Sequence, residues 1–234
     1  MKDPRQAHSY KGLHPLAKAV TILLALGIVA AAVDLGHNVH LLVLLDAVIE
    51  ERSREAVLDM AAAFELGDRI LFPTLGIVAV TAIAFLGWVY RANANAHALG
   101  FADLKFPPGW AVGWWFVPIA NLIQAPRVML ELYRVALAGD PAARRAHIGS
   151  APVIVWWLLI LFANGADRYG AGRIGGEEGF EQFRQALIAY IAGDVMFLAA
   201  GALAIWLVRR ITAGIESAKA AADQAEREAA RGRA

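Results

Sequence analysis

Apolar and polar segments alternate along the chain, and four apolar runs are long enough to cross a bilayer. They cover residues 16–33, 70–90, 148–166 and 186–208, and each contains at most one charged side chain. A helix needs roughly 20 apolar residues to span the hydrocarbon core of a membrane. The pattern therefore predicts an all-α integral membrane protein, a bundle of four transmembrane helices between an N-terminal segment 1–15 and a C-terminal helical tail 209–234.

A fifth uncharged segment, residues 107–126, does not fit this pattern. Residues 107–122 contain three prolines, three tryptophans and two glycines. Such a segment is too apolar for a surface loop and too interrupted for a simple membrane helix, because proline removes helical hydrogen bonds. Either it enters and leaves on one side as a re-entrant or interfacial segment, which gives four spans, or it crosses and gives five.

The distribution of basic residues favours four spans, because Lys and Arg are enriched in cytoplasmic flanks. With four spans and both termini inside, 16 of the 22 basic residues are cytoplasmic and 6 are external. Five spans give 9 inside and 13 outside, or 13 and 9 when inverted. We therefore expect a multi-pass protein of the bacterial inner membrane with cytoplasmic N- and C-termini.

In the four-span arrangement, every tryptophan is at or near the cytoplasmic end of its segment. Tryptophan favours the headgroup region, where its ring is apolar and its N–H stays hydrated. The pattern predicts an interfacial aromatic belt, with a groove that receives a lipid or a partner helix as the alternative. The cluster consists of Trp88, Trp110, Trp114, Trp115, Trp156, Trp157 and Trp206.

Amphipathic helices are predicted between the spans. Residues 41–48 and 57–64 place apolar side chains at i, i+3, i+4 and i+7, which is typical of helices that lie on the outer membrane surface or cap the bundle. Residues 128–137 form a similar pattern after the interrupted segment.

Asp194 is the strongest polar candidate, since it lies inside the fourth predicted span. It is the ninth residue of that span, about 12 Å from the outer end at ~1.5 Å per residue. An ionisable group at this depth is by default a functional-site hypothesis. The alternative is a protonated or hydrogen-bonded structural acid, with Thr81, Tyr190 or Asn164 as its partner.

Four further polar residues flank the interrupted segment or follow the second span. Asn121 and Gln124 are placed where the segment must turn, and we expect their amides to bond the backbone groups that Pro118 frees, with a ligand site as the alternative. Arg91 and Asn93 follow the second span, where they serve either a cap and turn or the binding of lipid headgroups.

Composition excludes several other classes of protein. Hydrophobic residues make up 59% of the chain and the net charge is +1, so no concentrated basic patch is available for nucleic acid. Cysteine is absent, which excludes disulfides, Cys-based zinc sites and a thiol nucleophile. No nucleotide loop or catalytic triad is apparent, so we expect neither a cofactor, a metal site nor an enzymatic activity.

The middle of the chain resembles a known bacterial membrane family, domain of unknown function 4328. The resemblance implies a multi-spanning bacterial membrane protein and no catalytic activity. The residues that carry it are Trp88-Val89-Tyr90-Arg91, Asn93, Asn95, Leu99-Gly100, the run Pro108-Gly109-Trp110-Ala111-Val112-Gly113-Trp114-Trp115-Phe116-Val117-Pro118-Ile119-Ala120-Asn121-Leu122, and Glu131-Leu132-Tyr133-Arg134.

Three functions are compatible with these patterns, and a lipid-modifying enzyme is the least favoured of them because no His, Asp or Ser residues cluster at an interface. We expect a non-enzymatic interaction or scaffold component of an inner-membrane assembly, in contact with the lipid bilayer and with a membrane-protein partner or a second copy of the chain. The alternative is a small transporter or channel component that uses Asp194 and the re-entrant segment.

Overall fold

A computed structural model describes residues 9–51, 54–101, 104–139, 149–174 and 179–233. Within these ranges the chain is all-α, as predicted. Residues 1–8 of the predicted N-terminal segment, residue 148 of the third predicted span and residue 234 lie outside the described residues. The elements are α1 (His14–Glu51), α2 (Arg54–Ala98), α3 (Pro108–Gly113), a 3₁₀ turn η1 (Trp114–Phe116), α4 (Ala120–Gly139), α5 (Ala151–Ile174) and α6 (Gly179–Arg231).

The four-span prediction is confirmed. Among the described residues, α1, α2, α5 and α6 are the helices that are long and apolar enough to cross a membrane. The segment 107–126 contains no helix of that kind, because it is divided between α3, η1, a turn and the start of α4. At six residues, α3 is only about 9 Å long, which is far short of a bilayer core.

The described residues divide into two compact units. Unit 1 contains the chain up to Ile22, the stretch from Ala82 to Val155 and the stretch from Ala204 onward. Unit 2 contains Leu23–Thr81 and Trp156–Leu203. The helices α1, α2, α5 and α6 each contribute residues to both units.

In unit 2, the C-terminal part of α1 and the N-terminal part of α2 pack on the start of α6. A buried cluster at this contact consists of Leu41, Leu45, Ala63 and Leu187. Beside it, Arg184 of α6 forms an ion pair with Asp46 of α1. The amphipathic segments 41–48 and 57–64 are therefore not separate surface helices. They form the last turns of α1 and the first turns of α2. The stripe at 41–48 is buried or half-buried against α6, whereas Val57, Ala61 and Phe64 of the second stripe are exposed and Ala63 is buried instead.

In unit 1, α4 packs closely on the last third of α6. The backbones approach so closely at Gly214 that a Cβ on this residue would collide with the carbonyl oxygen of Ala136. The amphipathic helix predicted at 128–137 is confirmed, but it begins eight residues earlier, at Ala120. Small residues at a helix crossing permit such backbone contact.

The C-terminal tail 209–234 continues α6 without a break as far as Arg231. Its first turns are not solvated, since Ile211, Thr212 and Ile215 are buried in unit 1. This part of α6 belongs to the packed core of unit 1 as well as to the predicted tail.

Candidate functional site

The interrupted segment begins with a short helix that the two prolines initiate. Pro107 is extended (φ −67°, ψ 153°) and Pro108 occupies the first helical turn, where its missing N–H costs no hydrogen bond. The helix tightens into the 3₁₀ turn η1, and Val117 then returns to extended backbone (φ −90°, ψ 110°). The chain therefore changes direction within a few residues.

The reversal is completed by a three-residue turn centred on Ile119. Its φ is +65°, the left-handed region that β-branched residues rarely occupy. The N–H of Ala120 donates to the carbonyl oxygen of Pro118 at 2.7 Å, which closes a γ-turn around Ile119. A γ-turn of this hand is strained, so the packing around it must hold it in place.

Asn121 and Gln124 lie in the first two turns of α4, just after this turn. The backbone of the turn is hydrogen-bonded to the start of α4: the N–H of Asn121 donates to the carbonyl oxygen of Val117 at 3.0 Å, and that of Leu122 to the carbonyl oxygen of Ile119 at 3.1 Å. The side-chain amides of Asn121 and Gln124 form no hydrogen bond with any described residue. Among the described residues, the bonds that the sequence assigned to these amides are therefore not observed.

Several large apolar side chains of the interrupted segment are exposed. Phe116 is 71% exposed and Ile119 is 80% exposed, and Trp110, Leu122 and Ile123 are exposed beside them. We call these five residues the apolar face. A patch of this kind requires cover from lipid or from another protein.

The end of α2 carries the predicted residues Arg91 and Asn93. The helix continues past both of them and ends in a Schellman motif, in which Gly100 has φ +77° and the N–H of Phe101 donates to Ala96. The turn is therefore made by Gly100 and not by Arg91 or Asn93. Arg91 is half-buried, whereas Asn93 is fully buried and neither polar atom of its amide has a hydrogen-bond partner among the described residues.

Sequence reasoning missed the polar contacts that tie unit 1 together. The amide of Asn95 donates to the carbonyl oxygen of Lys11 at 2.8 Å and accepts its N–H at 3.2 Å. Glu216 of α6 accepts the N–H of Leu13 at 2.7 Å, which satisfies a free donor at the start of α1. Sequence spacing contains no signal for these pairs, since 84 and 203 residues separate their members.

The tryptophans divide into buried and exposed groups. Trp88 is fully buried and donates its indole N–H to Thr212 at 3.1 Å, and Trp156 and Trp157 of unit 2 are buried as well. These three rings do not face lipid headgroups as the belt predicts. Trp110 and Trp206 are exposed, and Trp114 and Trp115 are partly buried.

The aromatic contacts of unit 1 connect the interrupted segment and α4 to the long helices. Phe85 of α2 contacts Trp115 edge to face at 5.6 Å, and Tyr133 of α4 is 6.1 Å from Trp206 of α6. Burial raises the pKa of the Tyr133 phenol, and nearby Arg210 partly opposes the rise. The phenol is therefore neutral at physiological pH and serves the packing of α4.

Asp194 is hydrogen-bonded in unit 2, as its structural interpretation requires. Its Oδ2 accepts the amide N–H of Asn38 at 2.9 Å. Two of the three partners expected from the sequence bond elsewhere, since Thr81 donates to the carbonyl oxygen of Ile77 and Asn164 donates to that of Ile160. Asn38 is the partner that the sequence analysis did not find.

Two more carboxylates lie near Asp194. Asp34 and Asp167 both interact with it electrostatically. Asp167 lies beside Gly193, the residue before Asp194, because a Cβ on Gly193 would be 2.6 Å from its Oδ1. Asn38 and Asp167 lie just beyond the predicted spans 16–33 and 148–166. The bond to Asp194 therefore comes from the part of α1 that follows the predicted span. Within the described ranges, no group of three metal-binding side chains comes together.

Comparison with protein families identifies the chain. A family model described as "Domain of unknown function (DUF4328)" matches residues 51–213, well over half of the sequence. The chain belongs to the DUF4328 family. Comparisons with curated proteins and with solved structures give no match.

The DUF4328 match contains α2 to α5 and most of α6, including the interrupted segment and Asp194. Nearly all of α1 precedes the match, so Asn38, the hydrogen-bond partner of Asp194, lies outside it. Trp88 and Thr212 both lie inside it. The matched region thus contains the apolar face and its packing on α2 and α4.

Proposed function

We propose that this DUF4328 protein is a non-enzymatic interaction or scaffold component of a bacterial inner-membrane assembly, with both termini cytoplasmic. The apolar face of the interrupted segment carries the proposal. Its partner is another membrane protein or a second copy of the chain, which covers Phe116 and Ile119 at the cytoplasmic side of the bilayer.

The way the apolar face is built supports a docking role. A short helix, a 3₁₀ turn and a strained turn hold its side chains outward, while Pro108, Ala111 and Ala125 are buried on the other side. Trp115 packs on Phe85 of α2 and so anchors the segment. Strained backbone that the surrounding packing holds in place is typical of binding surfaces.

The buried polar residues of unit 1 support a structural rather than a catalytic use of its interior. Trp88 and Thr212 bond each other, and Asn95 and Glu216 bond the backbone of the segment before α1. These groups join helices to one another. They are consistent with a rigid platform beneath the apolar face.

Site-specific photocrosslinking in native membranes tests the proposal. A photoreactive residue at Ile119 is compared with one at Ile83, which is 73% exposed on the second span. We expect a discrete protein adduct from position 119 and lipid adducts alone from position 83. An adduct of twice the chain mass identifies a second copy. Lipid adducts alone from both positions would contradict the proposal.

The transporter alternative is favoured by one observation, the three carboxylates Asp34, Asp167 and Asp194 in unit 2. Proton flux in proteoliposomes with Asp194→Asn separates the two functions. Lost flux at unchanged expression would support transport. An absence of flux in the wild type, together with a protein adduct at position 119 that survives Asp194→Asn, supports the scaffold.

A further inference from the structure

A cavity of about 750 Å³ lies between α4 and the chain that follows α2. One wall is formed by Phe101 and the stretch from Leu104 to Phe106, and the other by α4. Ligand pockets are commonly of this size. All of its lining residues belong to unit 1 and to the matched part of the chain.

The α4 wall is the helix face opposite to the packed one. Arg127, Leu130, Glu131 and Arg134 line the cavity at three- and four-residue spacing, whereas Tyr133 and its neighbours face the protein interior. The side chains on this wall therefore share one stripe along the helix. Their charged ends reach the same volume.

The single described carboxylate in the lining is already engaged. Oε2 of Glu131 accepts the backbone N–H of Lys105 at 2.9 Å, and Oε1 has a longer contact of 3.5 Å with the N–H of Phe106. Glu131 thus holds the loop against α4 and forms the cavity. Its lone pairs are directed to the loop rather than to a cation.

Three cationic side chains line the same cavity without an anionic partner. Among the described residues, Lys105, Arg127 and Arg134 form no ion pair, and three positive charges face one committed carboxylate. The remaining lining is apolar and includes Phe101, Phe106 and Leu130. The cavity therefore combines a cationic rim with an apolar wall.

We propose that this cavity binds a phosphate group carried on an apolar body, with Arg127 and Arg134 as the principal contacts and Lys105 as the third. Guanidinium groups bind phosphate oxygens in pairs, which suits a rim with two arginines on one helix stripe. The apolar wall accommodates the body. On the predicted cytoplasmic side, anionic phospholipids supply this chemistry, and a soluble phosphate is the other source.

The site is independent of the proposed scaffold role, because it uses the polar stripe of α4 and not the apolar face. Binding is measured on the purified full-length protein in detergent by titration calorimetry and by the shift in unfolding temperature. The probes are dihexanoyl phosphatidic acid, dihexanoylglycerol, which has the same body without the phosphate, and inorganic phosphate.

The test variant is the double substitution Arg127→Gln and Arg134→Gln. We expect its Kd for phosphatidic acid to rise about tenfold or more, since charge-assisted hydrogen bonds are lost. The control, Arg209→Gln with Arg227→Gln, removes two exposed cations elsewhere in unit 1 and should leave the Kd unchanged. Both double variants must retain the elution volume and helicity of the wild type. We expect both to fold, because all four substituted residues are exposed.

Each outcome decides the proposal. Phosphatidic acid that binds better than both other probes, with loss in the double variant alone, supports a lipid phosphate. Inorganic phosphate that binds as tightly as the lipid, with the same loss, would show that the cationic rim binds a soluble phosphate without help from the apolar wall, and would overturn the apolar body of the ligand. Equal binding of dihexanoylglycerol and phosphatidic acid, no binding of any probe, or a double variant that behaves like the control would overturn the proposal.

Discussion

At the scale of single residues, Asn93 combines full burial with an amide that bonds no described residue. An unsatisfied buried polar group costs about 1–3 kcal/mol. Asn93→Leu keeps the branched shape and the number of side-chain heavy atoms and removes both polar atoms. We therefore expect the free energy of unfolding to rise by about 1 kcal/mol, measured as a higher midpoint of thermal unfolding in detergent.

The matched control for Asn93 is Asn95, two residues further along α2. Its amide forms two hydrogen bonds with the backbone of Lys11. Asn95→Leu should lower the unfolding midpoint because both backbone groups lose their partner. A lower midpoint for Asn93→Leu as well would mean that the Asn93 amide does have a partner in the protein.

Ile119 allows a second comparison between neighbouring residues. Its φ of +65° is costly for a β-branched side chain but is readily adopted by asparagine. Ile123 is helical and less exposed than Ile119, so Ile119→Asn loses at least as much apolar contact with the detergent as Ile123→Asn does. We expect Ile119→Asn to be the more stable variant by about 1 kcal/mol. Equal unfolding midpoints would argue against strain at this turn.

The sequence predicts the break near Ile119 but not its geometry. Pro118 and the glycines indicate that no straight helix can pass through the segment. Which residue adopts the left-handed conformation depends on how Trp115 and Ala125 pack on either side of the turn. That choice is made by contacts with α2 and within unit 1.

At the scale of helices, the crossing of α4 and α6 depends on Gly214. A Cβ there would collide with the backbone of Ala136, which a rigid helix cannot move without loss of packing. We expect Gly214→Ala to lower the free energy of unfolding by about 1–3 kcal/mol. Chemical denaturation followed by tryptophan fluorescence measures the change, since Trp206 lies on α6.

Gly76 is the control for this crossing. It lies within α2, and a Cβ at this position has nothing within 4 Å. Gly76→Ala should be neutral or stabilising by up to about 1 kcal/mol, because alanine is the better helix former. If both alanine variants lost the same stability, the contact between α4 and α6 would not be close.

The helix pattern illustrates what periodicity can predict. The stripe at 41–48 correctly predicts a helix with one buried face, because apolar spacing reflects which side chains are buried. At 57–64 the predicted helix forms, but Val57, Ala61 and Phe64 of its stripe are exposed. The two stripes do not indicate that these helices continue α1 and α2. An amphipathic stripe is the same whether it lies on a membrane or on a neighbouring helix such as α6.

At the scale of the whole molecule, the natural absence of cysteine permits a direct test of topology. We introduce cysteine at Gly109 near the start of the interrupted segment, at Ala138 beyond its end, at Ala220 beyond the last span, and at Glu65 between the first two spans. All four positions are exposed. Membrane-impermeant maleimide should label the first three from the cytoplasm and Glu65→Cys from outside.

The comparison between Gly109→Cys and Ala138→Cys is decisive for the interrupted segment. Labelling of both from one side agrees with a re-entrant or interfacial segment. Labelling from opposite sides would mean that the segment crosses the bilayer. Ala220→Cys reports the side of the C-terminus independently.

By itself, the sequence determines that this is an all-α protein with four membrane-spanning helices and an interrupted fifth segment. These properties depend on local composition, because the transfer of apolar residues into lipid and the loss of hydrogen bonds at proline act within a few residues. Only the tertiary structure decides the partners of the polar residues. Asp194 bonds Asn38 across 156 positions, and Trp88 bonds Thr212 across 124. Such contacts depend on the register between packed helices, which no local pattern encodes.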